Sequence, residues 1–215
     1  MAAARAQTDD TRERLLKAAT EIFAEKGYES ATVREICKRA KANGALVNYY
    51  FGEKLGLYAT VLRATCGVQL PMPVPKIEGD PEQKLRGLIA GMLEKAVERA
   101  EQKTPHYQIM MHELTNPSEA SGMVVDMTIR PLYDYMRELA GAMMKRSSSD
   151  DLVRLCVHSI LAQIIHFSRP QRITQLWPEM KLGPEQRKGV AKHIGDVVLM
   201  YMHAHQDGNE KAASF

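Results

Sequence analysis

Residues 32–54, TVREICKRAKANGALVNYYFGEK, constrain the fold more than any other stretch. Thr32 followed three residues later by Glu35 is a capping box, which fixes a helix start. Val33, Ile36 and Ala40 give that helix one apolar face over about two turns. Lys41, Ala42 and Asn43 form a turn, and Asn43 is a good N-cap for a second short helix, Gly44 to Tyr50. Val47 and Phe51 hold the second helix to the core, which leaves Gly44, Ala45, Asn48 and Tyr49 on an outer face. Small residues let a helix lie deep in a major groove, and Asn pairs bidentately with adenine. The spacing predicts a helix-turn-helix reader of double-stranded DNA.

The flanking residues suit a phosphate grip. Thr32 combines a hydroxyl with a helix start, and Asn43 stands at the start of the reading helix. Gly44, Ala45 and Asn48 are the candidate base readers. Arg34 and Lys54 read as phosphate contacts, and Tyr49 and Tyr50 offer hydroxyls, with one of the pair free to pack beside Phe51 instead. Lys38, Arg39 and Lys41 fit either a phosphate contact or a solvated charge. Residues 1–63 hold 11 Lys or Arg against 8 Asp or Glu, whereas residues 64–215 hold 18 of each. The whole +3 excess therefore lies on the segment that would meet DNA.

Every long segment carries helical rather than strand periodicity, so the expected class is all-α. Asp10 with Glu13 reads as a capping box for a first helix that Gly27 stops. A fourth helix is expected over about 53–68, and the run Pro71-Met72-Pro73-Val74-Pro75 marks a linker. Asp80-Pro81 starts another helix, and a further one is expected from about Glu119 to Lys145, with a kink or local break near Met127 caused by Pro131. Residues 151–168 are apolar nearly all round, and 185–203 carry two apolar faces. Such helices must be buried on both sides, which in a small domain means a core and a second subunit. Cys156, Ile160, Ile164, Phe167, Ile194, Val198 and Met202 are the candidate interface residues of a homodimer.

Eight of the 13 methionines fall between Met92 and Met144. Met adapts to varied apolar ligands, although ordinary core filling explains the same residues equally well. Polar groups embedded among them suit a pocket for an amphipathic small molecule. Met92, Tyr107, Met110, Met111, His112, Glu113, Met127, Tyr133 and Met136 are its candidate lining. His112-Glu113 lacks the second His of a zinc HExxH, and His158 and His166 fit one side of an interface better than a metal site. No nucleophile elbow, P-loop or dinucleotide-binding glycine pattern is present, so neither an enzyme nor a cofactor is expected. Cys37, Cys66 and Cys156 are widely spaced in apolar patterns, which suits buried free thiols in a reducing cytoplasm. No secretory leader and no apolar run long enough to span a bilayer is expected from the sequence.

The run AKANGALVNYYFGEK resembles the recognition segment of the tetracycline-repressor (TetR) family of transcriptional regulators. Ala40, Ala42, Asn43, Val47, Tyr49, Phe51 and Lys54 occupy that family's places without a gap. The preceding RERLLKAATEIFAEKGYESATVREI is similar to its first helix, and the match spans roughly residues 10–62. Asn48 before Tyr-Tyr-Phe-Gly, His112-Glu113-Leu114 and Asn116-Pro117-Ser118 resemble the CecR-like (YbiH-like) branch. The resemblance implies a DNA-binding domain over residues 1–63 and a helical effector-binding and dimerisation domain over 64–215. It also implies dimerisation through the last two helices as a four-helix bundle. The implied function is that of a cytoplasmic, ligand-responsive regulator, most often a repressor released from a palindromic operator by a small molecule. Lys41 stands where the family has Gly. A left-handed backbone there would cost Lys about 1 kcal/mol relative to Gly.

Overall fold

A computed structural model of the protein describes residues 2–65 and 75–206, with side chains described from Asp10 onward, Thr128 excepted. Among them are α1 (Ala2–Ser30), α2 (Val33–Ala40), α3 (Gly44–Phe51), α4 (Lys54–Thr65), α5 (Pro81–Glu101) and α6 (Pro105–Thr115). There follow α7 (Ser121–Thr128), α8 (Arg130–Met144), α9 (Asp151–Phe167), α10 (Pro170–Leu176) and α11 (Pro184–Ala204). No strand occurs among the described residues, so the class is all-α as the periodicity predicts. Cys66 and the linker residues Pro71 to Val74 lie outside the described residues. No helix among the described residues is long and apolar enough to cross a membrane.

Two compact units divide the chain. The first is built from α1–α4 together with α6 and α7. Leu15, Ile22 and Phe23 of α1, Ile36 of α2, Val47 of α3, and Leu57, Tyr58 and Leu62 of α4 are almost wholly buried in one core. Each such side chain contributes about 1.5–3 kcal/mol by leaving water. Ile109 of α6, Ala120, and Val124 of α7 complete the same core. The unit therefore takes in residues well beyond residue 63, because apolar positions far along the chain join the core of α1–α4.

Two helix ends differ from expectation. Helix α1 already runs from Ala2, so Asp10 does not cap it; its carboxylate pairs instead with Arg14 one turn on, at 3.1 Å. At the other end Gly27 breaks the helix as expected, with φ 74 and ψ 175, and a last turn continues to Ser30. The predicted helix from Glu119 to Lys145 is two helices that part at Ile129, two residues from the expected kink or break near Met127. Pro131 has no N–H to donate, and its ring excludes the helical path four residues back.

The second unit packs α5, α8, α9 and α11 around Leu88, Ile89, Met136, Val157, Ile160 and Ile194, all at most 1% exposed. Asp80 caps α5 as the Asp-Pro pair predicts, accepting from the Gln83 N–H at 2.8 Å. Arg86 ties α5 to α11 through Asp196 at 2.7 Å. Cys156 is buried here and Cys37 in the first unit, both as free thiols, and burial pushes the Cys156 thiol up to about 11.

Candidate nucleic-acid interface

The capping box forms as predicted. Thr32 Oγ1 accepts from the Glu35 N–H at 3.2 Å, and Glu35 Oε2 accepts from the Thr32 N–H at 3.3 Å. The Glu35 carboxyl is held below its ordinary value, first by Lys26 at 2.5 Å and then by Thr32. At the far end of α2, Lys41 adopts the left-handed conformation, φ 51 and ψ 46. The Ala42 N–H then reaches the Cys37 carbonyl at 2.9 Å, closing the helix end. Arg14 of α1 donates to the Ala40 carbonyl at 3.1 Å, a contact that no local pattern in the sequence announces. Asn43 Oδ1 accepts from the Ala45 N–H at 3.0 Å and starts α3.

On α3 only Val47 is fully buried, and it anchors the helix to the core. Gly44, Ala45, Asn48 and Tyr49 are exposed on the opposite side, as the periodicity predicts, with Tyr49 75% exposed. Tyr50 is half-buried against the core and meets Phe51 edge-on at 6.1 Å between ring centres. Of the two tyrosines, Tyr49 is therefore the more open to a partner. Gly56, in the first turn of α4, lets the chain double back: a Cβ there would lie 2.1 Å from the Phe51 carbonyl oxygen.

The basic residues divide into two groups. Arg39 is held to α1 by Glu25 at 2.7 Å and Glu21 at 3.6 Å, and its hydrogen bond lowers the Glu25 carboxyl below its ordinary value. Arg34, Lys38 and Lys41 are exposed. Lys54 is partly buried: its Nζ sits 4.2 Å over the Tyr28 ring and 3.5 Å from the Glu29 carbonyl oxygen. Arg12, a residue absent from the sequence-based set, places its guanidinium 5.5 Å over the Phe51 ring at the end of α3. Small and amide-bearing residues are thus exposed on α3, and Arg34, Lys38 and Lys41 are exposed on α2 and the turn before α3, the residue types that groove insertion with phosphate anchoring uses.

His112 and Glu113 do not stand open as ligand contacts. His112 Nε2 lies 3.1 Å from the Ala24 carbonyl oxygen. Glu113, 6% exposed, accepts from the Tyr58 hydroxyl at 2.9 Å, the Ser118 N–H at 3.1 Å and the hydroxyls of Ser118 and Ser121 at 2.8 Å. Burial, and then the hydrogen bond to Glu113, push the Tyr58 phenol far above its ordinary value. Tyr107, Met110, Met111 and Met127 also belong to the first unit, whereas Met92, Tyr133 and Met136 belong to the second, where Met136 is fully buried. Two clefts in the second unit, of about 500 and 250 Å³, are lined by none of these nine residues.

The expected interface residues lie mostly inside the subunit. Cys156, Ile160, Ile164, Ile194, Val198 and Met202 are buried in the subunit's own core, and Phe167 packs against it. A helix apolar on all sides does not reveal from sequence which side its own subunit covers. Among the described residues of α9 and α11, the large apolar side chains left exposed are Leu155 on α9 and Val197 and Met200 on α11, the last 70% exposed.

Residues 15–61 match the model of bacterial regulatory proteins of the TetR family. Residues 81–205 match that of the C-terminal domain of the HTH-type transcriptional dual regulator CecR. The chain is 27% identical over 182 residues to the HTH-type transcriptional repressor NicS of Pseudomonas putida, covering 78% of this chain and 80% of NicS. It is 26% identical over 170 residues to CecR of Shigella flexneri, covering 74% and 76%. The fold is similar to that of HlyIIR, a hemolysin II transcriptional regulator, with a TM-score of 0.55 at 20% identity over 90% of this chain and 97% of that one. The exposed reading helix and these matches agree: the chain belongs to the TetR family of DNA-binding transcriptional regulators, with a C-terminal domain of the CecR type.

Proposed function

We propose that the protein is a homodimeric, effector-responsive repressor that binds a two-fold symmetric operator in the bacterial cytoplasm and catalyses no reaction. The observation that carries this reading is the outer face of α3, where Gly44, Ala45, Asn48 and Tyr49 are exposed while Val47 anchors the helix from behind. Asn48 reads a base edge; Thr32, Arg34, Tyr49 and Lys54 hold phosphates. NicS, a repressor by name, supports the direction of regulation.

A second copy would cover the outer faces of α9 and α11, around Leu155, Ala162, Val197 and Met200. The support is that these faces are exposed and carry large apolar side chains, including Leu155, Val197 and Met200. Residues 64–215 are proposed to carry the effector response. His112 and Glu113 take no part in holding an effector in this reading, because both have partners inside the first unit.

The test is a titration of the natural chain against duplexes from around its own gene, at several salt concentrations. Neutralising several phosphates in each half-site makes log affinity fall steeply and linearly with log salt. A salt-insensitive complex would contradict the arrangement. An effector should shift this affinity by unequal binding to two states, for which a coupling of about 1–3 kcal/mol suffices.

A further inference from the structure

The segment His112-Glu-Leu-Thr-Asn-Pro-Ser118 lies outside the helix-turn-helix, yet it builds a heavily bonded turn in the first unit. Asn116-Pro117 ends α6, and Glu113 gathers the Tyr58 hydroxyl, the Ser118 N–H and two serine hydroxyls around one buried carboxylate. That fixed turn presents Glu119, which accepts from the Tyr28 hydroxyl at 2.7 Å. The Tyr28 ring packs 4.9 Å from that of Tyr58, whose ring meets Phe23 edge-on at 4.8 Å. On the Tyr28 ring lies Lys54 Nζ, at 4.2 Å. A cation over an aromatic face is attracted by the ring's electron density, and a carboxylate at the hydroxyl adds to that density.

We propose that Glu119 is a positioning residue for DNA binding: through Tyr28 it sets where the Lys54 ammonium meets a phosphate, and Glu113 holds the turn that presents it. The proposal rests on Lys54 being a phosphate contact. Lys54 is flexible, and a long side chain loses several rotamers when ordered. Holding it over a fixed ring lowers that cost before DNA arrives. The turn of residues 113–121 thereby acts on DNA affinity from outside the helix-turn-helix.

The experiment measures operator affinity of the full-length protein across a salt series for Lys54→Ala, Glu119→Ala, Tyr28→Phe and the Lys54→Ala/Glu119→Ala double variant. The probe is a duplex selected by the natural chain. Glu119 is exposed and Tyr28→Phe keeps its ring, so thermal melting checks that both variants fold. Each lost phosphate contact makes the log–log salt slope shallower by about one, hence about two for a dimer. Lys54→Ala should show this loss, Glu119→Ala and Tyr28→Phe a comparable one, and the double variant no more than Lys54→Ala alone. A purely structural role for Glu119 would lower the melting temperature and leave the slope unchanged. A shallower slope for Lys54→Ala with unchanged slopes for Glu119→Ala and Tyr28→Phe would overturn the proposal alone, as would losses that add in the double variant. An unchanged slope for Lys54→Ala would overturn the phosphate contact and the proposal with it.

Discussion

The His112 ring packs beside Gly27, where a Cβ would lie 3.2 Å from His112 Cγ. Gly27 has φ 74 and ψ 175, a backbone region that only glycine enters without strain. Gly27→Ala should therefore cost about 1–3 kcal/mol, from backbone strain and a displaced ring. Urea unfolding should show the lowered midpoint, and an unchanged midpoint would contradict the packing.

Lys41 is the converse case, a side chain where glycine fits better. With φ 51 it sits in left-handed geometry while its side chain stays exposed. Lys41→Gly should stabilise the protein by about 1 kcal/mol. Since Lys41 is not among the proposed base readers, sequence preference should be retained while stability rises, as melting and binding together would show.

The two sides of α9 and α11 predict different failures. Ile164→Asp or Val198→Asp places a charge in the subunit core, at a cost of several kcal/mol, and should unfold the chain. Met200→Glu places it on the exposed side and should leave a folded subunit that no longer self-associates. Sedimentation with far-UV circular dichroism separates the outcomes; a dimeric Met200→Glu protein would contradict the proposed face.

Glu35 gives the start of α2 an acid sensitivity. Its carboxyl lies below the ordinary value of 4.5, through Lys26 first and Thr32 next. A depressed carboxyl adds stability that is fully present above its unfolded-state value and is lost as pH falls through its folded-state value. Glu35→Gln should remove that part of the acid limb, so its stability should fall less than that of the natural chain between neutral pH and about 3. Parallel falls in the two proteins would count against the pair.

Local chemistry made the reading head visible in advance. Thr32 with Glu35, Asn43 before Gly44, and the spacing of Val47 and Asn48 act within a few residues, so their structure could be read from their order. The long-range part could not. Nothing near Ala40 signals that Arg14 caps it, and nothing near Glu113 signals a tyrosine 55 residues earlier. His112 and Glu113 looked like pocket residues because polar groups among methionines suit a ligand; their partners are within the protein. At Ile164 and Val198 the sequence showed two apolar sides without showing which one the subunit covers itself.

Binding selection from random duplexes, with the natural chain and with Asn48→Ala, tests the reading of α3 most directly. The natural chain should select a two-fold symmetric site, with half-sites about 34–36 Å or a multiple apart. Asn48→Ala should lose about 1–3 kcal/mol of discrimination at one base position in each half and keep the rest. Unchanged preference at every position would contradict the assignment of α3 as the helix that reads the operator.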